Sequence, residues 1–276
     1  MTKEPILSKV MTDEQAKSTS LRLIKAALMG PTGSGKTQSS ITLPKTIEKP
    51  LLLVDFDNRW ETVREQVEEG TVKVLTLFDP DPASPKAWNE AEDLRKELWT
   101  LARKGDFPYS GVIEDGLSMM ARIAMNSALL LDNKRGLGGA PAKQHYMPQI
   151  QFLVKHINSM RMLPCHYILN THFEMLVDES EGKIKILPKV TRSLRTELPS
   201  WFNETYYCHR EQGKDNKINY FWTTAGTGKY DFFKSTLNNK QKFWKDPIEI
   251  DFDKSPVGFE KLIELRFGKE KGDAKQ

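Results

Sequence analysis

Cysteine is scarce: Cys165 and Cys208 are the only two in 276 residues, with no CxxC pair and no histidine at zinc-site spacing. That excludes a disulfide framework and a thiolate metal site, and it predicts two reduced core thiols in a cytoplasmic protein. No apolar run approaches the roughly 18 residues that a membrane helix needs, so no membrane association is expected. The opening stretch MTKEPILSKVMTDEQ lacks the basic-then-apolar pattern of a secretory leader, so export is not expected either. An excess of one charge is also missing, since 41 Lys+Arg stand against 37 Asp+Glu, a net charge of +4. With 17 glycines and 15 prolines, the chain is neither collagen-like nor of low complexity. Internal repeats are absent. What remains is a chain 38% hydrophobic, which with its glycines comes near the globular norm. It is long enough for one large domain, alone or with an extension.

Residues 1–20 are polar and unpatterned and predict a loose leader, 21–250 a single domain, and 251–276 a C-terminal tail. Within the domain, Leu21–Met29 and Leu51–Asp55 are continuous apolar runs of the kind found in parallel strands covered on both faces. Val72–Leu77, Gly111–Glu114 and Cys165–Asn170 predict further strands. Short helices are expected over 38–50 and 60–69. Longer ones are expected at Trp88–Arg103, with Ala91, Leu94, Leu98 and Leu101 at helical spacing, and over 117–131 and 146–160. From Lys183 onward KIKIL, ETYYC, INYFWTT and IEIDF predict short strands. Strand and helix therefore alternate over the first two-thirds, and strands dominate the last third. That order predicts an α/β fold, a mostly parallel sheet flanked by helices and extended by C-terminal antiparallel strands.

The chemistry is concentrated in Gly30-Pro31-Thr32-Gly33-Ser34-Gly35-Lys36-Thr37, a full match to GxxxxGK[ST] between a strand and a helix. Its glycines let backbone N–H groups turn inward around phosphate oxygens. Lys36 would bring its ammonium to the β- and γ-phosphates, and Thr37 its hydroxyl to Mg²⁺. An acidic residue at a neighbouring strand end should hold that Mg²⁺ through water. Asp115 is the candidate, with a helix N-cap as its alternative. Glu114 beside it is unexpected in an apolar run, and either faces the metal or lies near a strand end. Asp55 and Asp57 close the second strand; residues two apart point the same way, so both could face one site, with Asp57 the expected base for water.

The order GPTGSGKT, LVDFD, Asp115 and Asn170-Thr171-His172, with TLPK (Thr42–Lys45) and THFE (Thr171–Glu174), resembles the RecA-like P-loop ATPases. It looks most like the small phage members, the Sak-type single-strand annealing proteins and their AAA-type relatives. The resemblance spans about residues 20–235. It implies a RecA-like P-loop NTPase core and an ATPase using ATP and Mg²⁺ in recombination, annealing or repair. It also implies a ring or filament of identical chains, a possible single-strand binding protein as partner, and the host-cell cytoplasm if phage-encoded. Asp57 stands where the family has its catalytic acid, usually Glu, Asp115 at the Mg²⁺-associated acid, and His172 near the γ-phosphate sensor.

The resemblance further implies two loops that touch single-stranded DNA. The first falls on Asn133–His145, which holds Lys134, Arg135 and Lys143. The second falls on Glu174–Arg195, with Lys183, Lys185, Lys189, Arg192 and Arg195 and no acid in its later part. Such clusters suit phosphate tracking, and a solvated basic face is the alternative. A basic finger reaching a neighbouring subunit's site is assigned to Lys229 and Lys234, with Arg192 and Arg195 as rivals. His145, His156, His166 and His209 receive no role. The alternatives to a DNA-directed ATPase are one working through a protein partner, of helicase-loading or packaging type, and a nucleotide-gated binding module with little hydrolysis.

Overall fold

The apolar runs become the strands of a single twisted sheet in a computed structural model, which describes residues 23–132, 140–178, 182–213 and 216–268. The leader lies outside the described residues. The first half contains β1 (Lys25–Met29), α1 (Lys36–Ser40), β2 (Leu51–Asp55), α2 (Arg64–Glu68), β3 (Val72–Thr76), α3 (Ala87–Lys104), β4 (Gly111–Asp115) and α4 (Leu117–Leu129). It continues through α5 (Lys143–Arg161), β5 (His166–Thr171), β6 (Phe173–Asp178), β7 (Lys183–Pro188) and α6 (Arg192–Glu197). Then come β8 (Glu204–Gln212), β9 (Ile218–Thr223), β10 (Lys234–Ser235), β11 (Ile248–Ile250) and α7 (Gly258–Phe267).

Among the described residues the sheet has nine strands in the order β11-β9-β8-β1-β5-β4-β2-β3, with β10 also on β8. Strands β8, β1, β5, β4, β2 and β3 run parallel, whereas β9 and β10 pair antiparallel with β8, and β11 pairs antiparallel with β9. The mostly parallel centre and antiparallel extension thus match the α/β pattern of the sequence. All five residues of β2 are buried, as a strand covered on both faces requires. Alternation sorts the side chains: Ala27, Val54 and Val112 face the layer of α3, α4, α5 and α6, which contributes Trp88, Met120, Ile157 and Leu194. Ala26, Leu53 and Ile113 face the layer of α1, α2 and α7. No helix is long and apolar enough to cross a membrane among the described residues.

Helix α3 is set by local chemistry. The Asp79 carboxylate accepts the backbone N–H groups of Lys86 and Ala87, each at 2.8 Å, which caps the first turn. Arg103 and Lys104 then occupy the last turn before Gly105, where cations are favoured.

Two expectations are corrected. Residues 251–276 are not simply a tail, because α7 buries Phe259 and Leu262 completely. Phe259 stacks on Tyr206 and tilts against Trp222, with centroids 5.9 and 4.9 Å apart, and its burial contributes about 1.5–3 kcal/mol. The second basic loop is largely strand: Phe173–Asp178 and Lys183–Pro188 pair as the antiparallel ribbon β6–β7, with Met175 level with Ile186 and Val177 with Ile184. Alternating apolar side chains favour the extended backbone there, and Ile186 and Leu187 anchor the ribbon's base in the core.

Candidate functional site

Register assembles the site. Asp55 of β2, Asp115 of β4 and Asn170 of β5 stand level across three paired strands, and Met29 of β1 stands level with Thr171. Each strand ends at this level, so its last polar side chain opens into the same cavity as the glycine loop after β1. Thr32–Thr37, Asp55, Asp57, Asp115, Asn170 and His172 all line it. The sequence-predicted loop, both candidate acids and the sensor histidine therefore meet in one place.

Gly33 and Gly35 adopt φ of +75° and +78°, a left-handed conformation that side-chain-bearing residues rarely enter. The loop is thereby bent back before α1. The Lys36 ammonium donates to the carbonyls of Gly30 and Pro31 at 3.0 and 2.9 Å. Burial pulls its pKa down, opposed by Cys208 and the Asp115 and Asp57 carboxylates. One residue on, the Thr37 hydroxyl donates to Asp115 Oδ2 at 2.5 Å. Burial raises the Asp115 pKa, and hydrogen bonds from Thr37 and Asn170 hold it back. Asp115 is not the N-cap of α4; Gly116 holds that position, with no side-chain cap.

Asp55 and Asp57 both reach the cavity, but not by strand alternation, since β2 stops at Asp55. Asp55 is consumed by the turn: its oxygens accept the N–H groups of Asp57 at 3.0 Å and Arg59 at 2.6 Å. That turn directs Asp57 onward. Burial raises the Asp57 pKa and Asp55 reinforces it, while Arg59, Lys36 and, in its protonated form, His172 oppose it. His172 is half-buried, and burial with the Lys36 and Lys189 charges lowers its pKa, which keeps the imidazole neutral at pH 7.

Gly116 makes room for Asp57. Its φ is +106°, and a Cβ there would stand 2.7 Å from Asp57 Oδ1. Gly116→Ala is expected to cost about 1–2 kcal/mol of stability from the backbone alone, and to displace the carboxylate. Urea unfolding beside a turnover assay would show both losses; unchanged turnover would free Asp57 of its role.

Glu114 does lie near the end of β4, but it does not face the metal position: it points to the opposite face of the strand from Asp115. His156 Nε2 lies 2.6 Å from its Oε1, and the Tyr167 hydroxyl donates to Oε2. Glu114, His156 and Tyr167 are completely buried. On the other side of the ring, Nδ1 lies 3.6 Å from Glu92, which is paired with Arg95 and Lys155 at 2.9 Å each. His156 thus has a structural role that sequence reasoning missed, because its partners come from α3 and β4.

The proposed DNA-contacting cations are spread out. Lys134 and Arg135 lie outside the described residues, as do the side chains of Lys183 and Arg192. Lys143 opens α5, and Lys185 lies in β7. Lys189 follows β7 and donates its N–H to the His172 carbonyl at 2.8 Å. Arg195 forms an ion pair with Glu174, so it is committed within the fold. Of the finger candidates, Lys229 lies over the Tyr230 ring at 4.9 Å, and Lys234 pairs level with Thr205; neither lines its own chain's cavity.

Sequence reasoning also overlooked the wall beside the loop. Tyr220 lines the cavity, and a Cβ on Gly35 would meet Tyr220 at 3.1 Å and Phe252 at 3.2 Å. Among the described residues no three His, Cys, Asp or Glu side chains converge on a metal position. The cavity instead offers an ammonium, a hydroxyl–carboxylate pair, a free carboxylate and a neutral imidazole to one ligand. No protein-family model matches the chain, and no curated protein matches it.

Proposed function

We propose that the chain is a RecA-like ATPase that binds ATP with Mg²⁺ and couples hydrolysis to work on single-stranded DNA. The observation that carries this is the Thr37–Asp115 hydrogen bond at 2.5 Å beside Lys36, because hard oxygen donors of this kind suit Mg²⁺. Thr37 would hold the ion directly and Asp115 through water. When bound, Mg²⁺ neutralises charge on the phosphate oxygens. Lys36, which now satisfies two loop carbonyls, would turn its ammonium to phosphate, and N–H groups of the loop would complete the cradle. Asp57, which lines the same cavity, would orient a water and accept its proton.

His172 would sense the terminal phosphate through its neutral ring. The hydrogen bond between its carbonyl and the Lys189 N–H closes the base of the β6–β7 ribbon, so a shift of His172 moves the ribbon. Lys185 and Lys189 on and beside that ribbon support a DNA contact. A second reading rests on the same ribbon, which exposes Met175, Val177 and Ile184; exposed apolar side chains suit a protein partner better than phosphate.

The test is steady-state phosphate release from ATP with and without single-stranded DNA, beside Lys36→Ala. Turnover that is stimulated by DNA and abolished in the variant supports the proposal. DNA-independent turnover favours the protein-partnered ATPase, and no turnover favours a nucleotide-gated module. Hydrolysis persisting in Lys36→Ala would overturn the site.

A further inference from the structure

We infer that Arg210 is a phosphate-binding cation that the chain supplies to its own nucleotide site, an inference that rests on the triphosphate-binding reading above. Strand β8 runs parallel to β1, with Met29 level with Tyr207, so the three residues after Tyr207 extend beyond β1 alongside the glycine loop. The guanidinium of Arg210 lies flat against Gly33: a Cβ on that glycine would meet Nη1 at 3.0 Å, Cζ at 3.3 Å and Nη2 at 3.6 Å. Any other residue at position 33 would therefore be strained by its φ of +75° and would press on the arginine.

Arg210 is exposed, and among the described residues its side chain has no hydrogen bond or ion pair. The nearby carboxylates are answered elsewhere. Asp251 pairs with Lys254 at 3.0 Å, Asp253 with Lys217 at 3.8 Å, and Glu211 lies 3.7 Å from His209. A planar, permanently charged fork with unused donors beside a phosphate-binding loop is suited to bidentate contact with phosphate oxygens. Phosphoryl-transfer sites use an arginine in this way, from the same chain or from a neighbour, to stabilise charge on the transferring group. Arg210 lies against the loop and does not itself line the cavity; swung from Gly33 toward bound phosphate it would be the same-chain case.

Charge and shape are separated by Arg210→Lys and Arg210→Gln, each titrated as full-length protein with ATPγS and Mg²⁺ at low and high salt. Arg210→Gln is expected to weaken ATPγS about tenfold or more, the loss of one charge-assisted contact, and to flatten the salt dependence. Arg210→Lys should retain the salt dependence and only part of the affinity, since an ammonium keeps the charge but not the paired donors of the fork. Equal impairment of both variants with unchanged salt dependence would make Arg210 a packing brace for the loop and overturn the inference. So would wild-type affinity in Arg210→Gln. Lys36→Ala is the control: if wild type does not bind ATPγS, or Lys36→Ala binds it equally well, the nucleotide-site reading fails and this inference falls with it.

Discussion

Asp57→Asn is expected to lower phosphate release by about 10²–10⁴-fold, with nucleotide affinity near wild type. The substitution keeps the shape that fits against Gly116 and removes only the capacity to accept a proton. Asp55 cannot take over, because both its oxygens hold the turn through the N–H groups of Asp57 and Arg59. Glu114 cannot either, as it faces away into its pairing with His156 and Tyr167. The pH profile gives an independent reading. A base must be ionised, so turnover falls as pH drops through its pKa. Burial raises that pKa for Asp57, which places the acid limb above the ordinary value of about 3.9. Steady-state assays across pH would show the limb in wild type and its loss in the variant; full turnover in Asp57→Asn would remove Asp57 from the chemistry.

His156→Leu should destabilise the fold by about 3–5 kcal/mol, the cost of stranding a buried charge without its partner. Glu114 would be left at the centre of the α3–α5 layer with only Tyr167. Adding Glu114→Gln should recover part of the loss, since the pair then disappears together. Burial alone would lower the His156 pKa, but Glu114 and then Glu92 overcome it and raise it to about 9. An unfolded histidine releases its proton near about 6.5. The contribution is therefore complete below about pH 6.5 and lost as pH rises through about 9. Urea unfolding from neutral to alkaline pH should show wild type weakening across that window and His156→Leu weakening less. Equal slopes would mean that the ring is uncharged in the fold.

The parts legible in the sequence are those whose information is local. GPTGSGKT is eight consecutive residues whose glycines and lysine announce a phosphate cradle without any distant contact. LLLVD is buried throughout as its unbroken apolar run predicts, and Asp115 stands at a strand end because the run GVIE stops there. Strand β7 was legible in KIKIL, whose Ile186 and Leu187 are core residues, but its partner β6 was not, because the resemblance assigned Glu174–Arg195 to a loop. Helix α7 was obscured because Phe259 and Leu262 show too short a pattern to separate a packed helix from a tail.

By itself, then, the sequence determined the alternating strand–helix order, the glycine loop and the set of acids that could stand beside it, since each depends on neighbours along the chain. Tertiary structure alone decided where each acid stands. Strand register brought Asp55, Asp115 and Asn170 to one level, a turn spent Asp55 to aim Asp57, and alternation sent Glu114 to the opposite face. It also brought Arg210 to Gly33 and His156 to Glu114. Those meetings depend on which strands pair and which helix covers them, and that is settled by burial of the whole apolar surface rather than by any local residue pattern.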